Sequence, residues 1–225
     1  MIAAQDTQIE SRSMGHVALH YLKPNEGPLA SKLLKLLGLV ETQVLPFEDG
    51  THFYRFVVNP DHQARGDGII YLSAAPPAQR KLIEAVREAL HVDKSDQHPA
   101  VTAMREAIIA DPEYTFHVGI LVDSLEELER VLLDIKQKAQ TDSEFKGRLK
   151  ITLNRPRRGD AEVDARLDAS PVYGEVDRYA YGRNGVQAFI ETDILTSGPL
   201  GDSLVLELDY VFPNRANHIL SVVEL

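Results

Sequence analysis

Two stretches of the chain alternate apolar and polar residues and then give way to an apolar stripe at helical spacing. The first is Gly15-His-Val-Ala-Leu-His-Tyr-Leu22, and the second is Thr115-Phe-His-Val-Gly-Ile-Leu-Val-Asp123. Alternation together with β-branched and aromatic residues predicts a strand in each stretch. Each strand carries a histidine near its start, so the pattern indicates one strand-then-helix unit present twice.

The first unit continues as a small module. Leucines recur at helical spacing after Pro28, and Gly38 stands where a glycine commonly ends a helix. Three further strands are predicted at Glu41–Phe47, His52–Val58 and Gly68–Ser73, and an Asp-Gly turn signal joins the first two. Residues 15–75 are therefore predicted to form a first βαβββ module.

Residues 76–112 have a different character. Pro77 opens a helical pattern, a polar break follows, and a shorter helix carries Met104 and Ile108. We interpret this segment as a helical connector between two modules.

The second module is predicted to span residues 113–213. Ser124 and Glu127 form a capping box at the start of its helix, and Gly147–Pro156 is the next strand. The predicted apolar stripe of this helix consists of Leu125, Leu128, Val131, Leu132 and Ile135. The polar residues 157–175 are expected to form a long loop.

A hairpin is predicted after this loop, from residues 178–181 and 186–193 around an Asn-Gly turn signal. The strand Ser203–Phe212 is then left over. It either extends the second sheet or is itself the last strand of the module.

Composition narrows the classes of function. The chain has 24 Lys and Arg against 34 Asp and Glu, a net charge of −10, which argues against nucleic acid and anionic membranes as partners. It has no cysteine, which excludes disulfides and thiolate chemistry and fits a cytoplasmic protein. Residues 1–14 are expected to be a disordered lead-in and residues 214–225 a C-terminal tail.

The repeated His-Val pattern, the βαβββ order and the acidic strand near the end resemble the vicinal oxygen chelate superfamily. Its members include glyoxalase I, extradiol dioxygenases, fosfomycin-resistance proteins and bleomycin-binding proteins. The resemblance covers nearly all of residues 15–212 and implies an α+β fold in which two modules pair into an open curved sheet. It also implies a small vicinally oxygenated substrate, aromatic in some members, chelated to a divalent metal.

In that family the metal ligands come from the first and last strands of the modules. His16 and His117 match the first-strand positions. Glu191, in Phe189-Ile-Glu-Thr, matches the last-strand acid, and Glu207 is its rival. A His-His-Glu set implies Fe²⁺ or Mn²⁺, with Zn²⁺ or Ni²⁺ as alternatives.

Tyr179 falls at the position of the tyrosine in the extradiol pattern, so the resemblance implies that it is the catalytic residue that handles the proton. The chain departs from that pattern nearby, because its turn reads Gly182-Arg-Asn-Gly185 and no histidine occurs from 118 to 217. A non-catalytic, drug-sequestering protein of the same fold is therefore the alternative function. Modules of this kind pair within one chain or across a homodimer, and the sequence leaves both open.

Overall fold

The first half of the chain forms a four-stranded unit with one helix packed on it. We describe a computed structural model, which covers residues 13–182 and 184–215. Strand order in this unit is β2-β3-β4-β1, and its first and last strands pair in parallel. Its elements are β1 (His16–Tyr21), α1 (Gly27–Leu36), β2 (Val40–Pro46), β3 (His52–Val57) and β4 (Ile69–Ala74).

The second half repeats this arrangement with one added helix. Its first and last strands again pair in parallel, and its long strand pairs with two neighbours. The elements are β5 (His117–Leu121), α4 (Leu125–Thr141), β6 (Leu149–Asn154), α5 (Ala161–Asp168), β7 (Gly185–Ser197) and β8 (Asp202–Val211). Between the halves lie α2 (Pro77–Ala89) and α3 (Pro99–Ala110).

One sheet joins the two halves. Its eight strands run β2-β3-β4-β1-β7-β8-β5, and β6 pairs with β7. The junction is a bridge between His20 of β1 and Thr196 near the end of β7. The predicted α+β fold with two βαβββ modules in an open curved sheet is confirmed. The residue limits proposed for the modules stay a prediction.

Two predictions for the second module were wrong. Residues 157–175 are not a continuous loop, because they contain α5, whose first turn is capped by Asp160 through the backbone N–H groups of Glu162 and Val163. The predicted hairpin is also wrong, since β7 pairs with β6 and β8, whereas Tyr179 makes an isolated bridge with Arg155.

The leftover strand is the last strand of the second module. It is β8, which runs parallel to β5 and antiparallel to β7. Of the two alternatives, the second is therefore correct, and β6 and β7 are the middle strands.

The core lies between the sheet and its helices. Along β5, Val118 and Ile120 contribute to the core, so His117 and Gly119 face the opposite side of the sheet. The stripe predicted along α4, Leu125, Leu128, Val131, Leu132 and Ile135, is fully buried. The sheet of the second module therefore has one face covered by α4 and an opposite face that carries His117 and Gly119.

The predicted lead-in and tail fall mainly outside the described residues, which leave out 1–12 and 216–225 together with Arg183. Within the part that is described, no helix has the length and apolar character needed to span a membrane.

Candidate metal centre

The parallel pairing of β5 and β8 brings a histidine beside a glutamate. His117 is in register with Val205, and Gly119 is in register with Glu207. His117 and Glu207 therefore share the face of the sheet that is turned away from the core. The His117 Nε2 atom lies 3.1 Å from Glu207 Oε2.

A backbone contact sets the tautomer of the imidazole. The His117 Nδ1 atom lies 2.9 Å from the carbonyl oxygen of Thr115, which can only accept a hydrogen bond. Nδ1 therefore carries a proton and donates it. In the neutral ring, the lone pair is then on Nε2, the atom that faces the carboxylate. Either a second proton on His117 or a metal ion would satisfy both the Nε2 lone pair and the Glu207 carboxylate.

A second carboxylate reaches the same nitrogen from the end of the connector. Asp111 follows α3 and caps the short 3-10 turn Pro112–Tyr114 by accepting a 3.1 Å hydrogen bond from the N–H of Glu113. This turn places Glu113 Oε2 3.8 Å from His117 Nε2. Tyr181 donates its hydroxyl hydrogen to Asp111 and so holds the cap in place.

An amide side chain orients both carboxylates. The Nε2 of Gln187 donates to Glu113 Oε1 at 2.6 Å and to Glu207 Oε1 at 2.7 Å. One donor atom from each of Glu113, His117 and Glu207 lies within 4.8 Å of the others, so the three side chains could hold one metal ion. An outer hydrogen bond of this kind is what fixes ligand orientation in metal sites.

The site concentrates negative charge in a buried place. Glu207 is only 4% exposed, and burial raises the pKa of its carboxyl. Burial, together with the adjacent carboxyl of Glu207, raises the pKa of Asp209 to about 8. A cation would relieve the repulsion among these acids, so the donors present fit a divalent metal.

The first module has an aromatic residue where the second has the glutamate. His16 is in register with Ile69 and Ala18 with Tyr71, the same offsets that relate His117 to Val205 and Gly119 to Glu207. Tyr71 therefore occupies the position equivalent to Glu207. The rings of His16 and Tyr71 lie 4.9 Å apart, between centroids.

The other predicted site residues lie in different surroundings. Glu191 accepts a 3.1 Å bond from Lys150 Nζ on β6. Tyr179 is about half-exposed, with the guanidinium of Arg157 5.1 Å above its ring. Of the predicted set, the group of three described above contains only His117, and it contains the rival acid, Glu207.

Three residues of the site were missed in the sequence. Asp209 alternates with Glu207 along β8, so strand parity could have identified it. Glu113 is the first residue of the predicted second module, and its approach to His117 depends on the capped turn. Gln187 carries no signal of its own, because an amide on a strand is common.

A cavity lies beside the centre, between α3 and the sheet. Its volume is about 220 Å³. Its walls are formed by Arg105, Ile108 and Ile109 of α3 and by Glu191, Asp202, Ser203 and Val205 of β7 and β8.

Comparisons with known proteins give only distant structural likenesses. The chain matches no family model and no curated protein. A glyoxalase/bleomycin resistance protein/dioxygenase family enzyme from Burkholderia phytofirmans is 10% identical, with a TM-score of 0.36 over 89% of this chain and 100% of that one. A Ralstonia eutropha protein ascribed to the glyoxalase superfamily is 13% identical, with a TM-score of 0.22 over 88% and 71%. A Shewanella frigidimarina protein ascribed a hydrolase function is 16% identical, with a TM-score of 0.22 over 93% and 84%.

These likenesses are too loose to carry a function across. The resemblance to the vicinal oxygen chelate superfamily rests on this chain's own elements, namely two βαβββ modules, parallel pairing of the first and last strand in each, and one continuous sheet. In its fold, the chain resembles the glyoxalase, bleomycin-resistance and dioxygenase proteins.

Proposed function

We propose that the protein binds a divalent metal through Glu113, His117 and Glu207 and acts on a small substrate that chelates this metal. The observation that carries the proposal is the His117 Nε2 atom, which faces two carboxylates while Nδ1 is committed to a backbone carbonyl. Metal-binding histidines commonly have this arrangement.

The donor set favours particular metals. One imidazole and two carboxylates make a harder set than a histidine-rich one, and carboxylates suit Mn²⁺ whereas imidazole suits Fe²⁺ and Zn²⁺. We therefore propose Mn²⁺ or Fe²⁺ as the resident ion, with Zn²⁺ or Ni²⁺ as competitors.

Three protein ligands leave coordination positions for a substrate. A bound divalent ion supplies Lewis acidity to a substrate held through two neighbouring oxygens. Gln187 keeps the two carboxylates oriented. We propose a glyoxalase- or dioxygenase-like reaction, with Tyr179 as the proton donor that the resemblance implies.

Metal analysis tests the proposal. Protein purified without a histidine tag is expected to bind Mn²⁺ or Fe²⁺ at micromolar affinity or better, measured by calorimetry under anaerobic conditions. His117→Ala should weaken binding about a hundredfold or more, because the single imidazole ligand is lost. His62→Ala is the control, since His62 lies on the turn Pro60–His62 beside Asp67. Unchanged binding by His117→Ala would contradict the proposal.

The roles predicted for His16 and Glu191 stay predictions, and three variants test them. Glu191→Gln and Glu207→Gln remove one charge each from neighbouring strands of the same sheet. Since Glu191 is bound to Lys150 and Glu207 to His117, we expect only Glu207→Gln to release the metal. His16→Ala reports separately on whether the first module adds a ligand.

The alternative function is a drug-sequestering protein of the same fold without turnover. The observation that favours it is Tyr71, which stands at the position equivalent to Glu207 in the first module and contacts the rings of His16 and Phe53 in tilted arrangements. An aromatic face of this kind binds planar ligands by stacking. In that case metal removal would leave ligand affinity unchanged. The absence of cysteine fits a protein of the reducing cytoplasm. The net charge of −10 argues against nucleic acid and anionic membranes as partners, which fits a small-molecule ligand.

A further inference from the structure

The connector helix α3 packs on the face of the sheet that carries the metal centre. Arg105 of α3 donates to Asp202 at the start of β8 at 2.8 Å and to Asp93 at 2.7 Å. Ile108, the 61%-exposed Ile109 and Val205 also line the cavity of about 220 Å³. The helix therefore forms a wall of this cavity and belongs to neither βαβββ module.

The cavity is next to the candidate ligands. Val205 is the register partner of His117 and stands two residues before Glu207 on the same face of β8. Residues two apart on a strand are separated by about 7 Å. A substrate bound at the centre could therefore extend a short substituent into the cavity.

The chemistry of the walls selects an uncharged, apolar group. Ile108, Ile109 and Val205 are apolar, and the charged residues around them already have partners, Glu191 with Lys150 and Arg105 with Asp202. An ionic group entering there would lose its hydration without gaining a free counter-charge. A volume of about 220 Å³ is also smaller than the roughly 300–1,000 Å³ of a site that encloses a drug-sized ligand.

We propose that this cavity binds a short apolar substituent of the metal-chelated substrate, so that α3 sets the specificity of the site. The inference rests on the proposed metal function and adds a substrate class to it, namely small molecules with a chelating oxygen pair at one end and a few apolar carbons at the other.

Alkyl hydroxamates test the inference, because they chelate divalent metals through two neighbouring oxygens and differ only in tail length. The probes are acetohydroxamate and hexanohydroxamate, titrated into the Mn²⁺-loaded full chain by calorimetry. Four additional methylenes should tighten binding by about 200-fold if all of them are buried in an apolar cavity. Equal affinities for the two probes in the unmodified protein would overturn the inference, and this comparison needs no variant.

A matched pair of variants locates the tail. Ile108→Trp fills the cavity and should bring the ratio of the two affinities close to one, with acetohydroxamate binding changed by less than about twofold. Met104→Trp adds the same ring to the same helix at a half-exposed residue outside the cavity walls, so it should retain the ratio. A ratio unchanged by Ile108→Trp would place the tail elsewhere and overturn the inference.

The two proposals fail in different ways. If the Mn²⁺-loaded protein binds neither hydroxamate, the proposed chelation of a substrate by the bound metal is wrong, and the inference is wrong with it. If it binds both equally well, the metal function survives and only the role of α3 is overturned.

Discussion

His117 is the residue on which the proposed metal centre depends, because its two ring nitrogens have separate partners. Nδ1 donates to Thr115, and Nε2 faces Glu207 and Glu113. An ion pair of histidine with these acids would use the same geometry with a proton in place of the metal. Metal binding separates these two readings.

Gln187 should matter although it is not a ligand. It donates to both Glu113 and Glu207, at 2.6 and 2.7 Å. Gln187→Met keeps the length of the side chain and removes its donors, so we expect metal affinity to fall by about 10- to 100-fold with the fold intact. Calorimetric titration with Mn²⁺ measures this.

Gln43→Met is the matched control, since Gln43 lies exposed on the edge strand β2. Affinity equal to that of the unmodified protein in Gln187→Met would show that the amide does not orient the ligands.

Glu191 and Glu207 could not be distinguished as the acidic ligand from the sequence alone. Both glutamates lie on acidic strands near the end of the chain, and the family pattern fits either. Two facts favour Glu207 in our proposal: β8 pairs in parallel with β5, and Glu191 on β7 accepts a hydrogen bond from Lys150. Strand pairing over long separations is not encoded in local periodicity, so the sequence left the alternative open.

Element positions were predictable where a periodic stripe was long. The stripe along α4 was predicted residue by residue and is buried. In contrast, α5 was missed, because its apolar side rests on Val163 and Leu167 alone and its sequence is otherwise polar. A short helix with two buried residues does not differ from a loop in periodicity.

The α4 stripe supports a direct stability test. Leu132 is fully buried and its neighbour Leu133 is 45% exposed. Leu132→Ala should lower the free energy of unfolding by about 2–5 kcal/mol, through lost burial and a residual cavity. Leu133→Ala should cost well under half as much. Urea denaturation of both variants checks this, and equal losses would contradict the packing described.

Helix α3 should be coupled to the metal centre through its C-terminal end. Arg105 ties α3 to Asp93 and Asp202, and the turn after α3 carries Glu113. Arg105→Ala should therefore speed amide hydrogen exchange in residues 99–114 and weaken metal binding several-fold.

The control for this variant is Arg130→Ala on α4, whose ion pairs with Glu127 and Asp134 are exposed and contribute little. If exchange in residues 99–114 were as slow in Arg105→Ala as in the unmodified protein, α3 would not be coupled to the metal centre through Arg105.

At the scale of the molecule, the two modules have the same strand pairing but different chemistry. The first offers His16 and Tyr71 at the positions where the second offers His117 and Glu207. The duplicated fold could be predicted from the repeated strand-then-helix pattern. The contribution of the connector could not, since Glu113 approaches the second module only through tertiary packing.

The location of the metal tests the central claim most directly. Crystals of Mn²⁺-loaded protein, measured at the metal absorption edge, should show an anomalous peak about 2 Å from His117 Nε2 and from one carboxylate oxygen each of Glu113 and Glu207. A peak coordinated by Glu191, or bound in the first module beside His16 instead, would contradict the account.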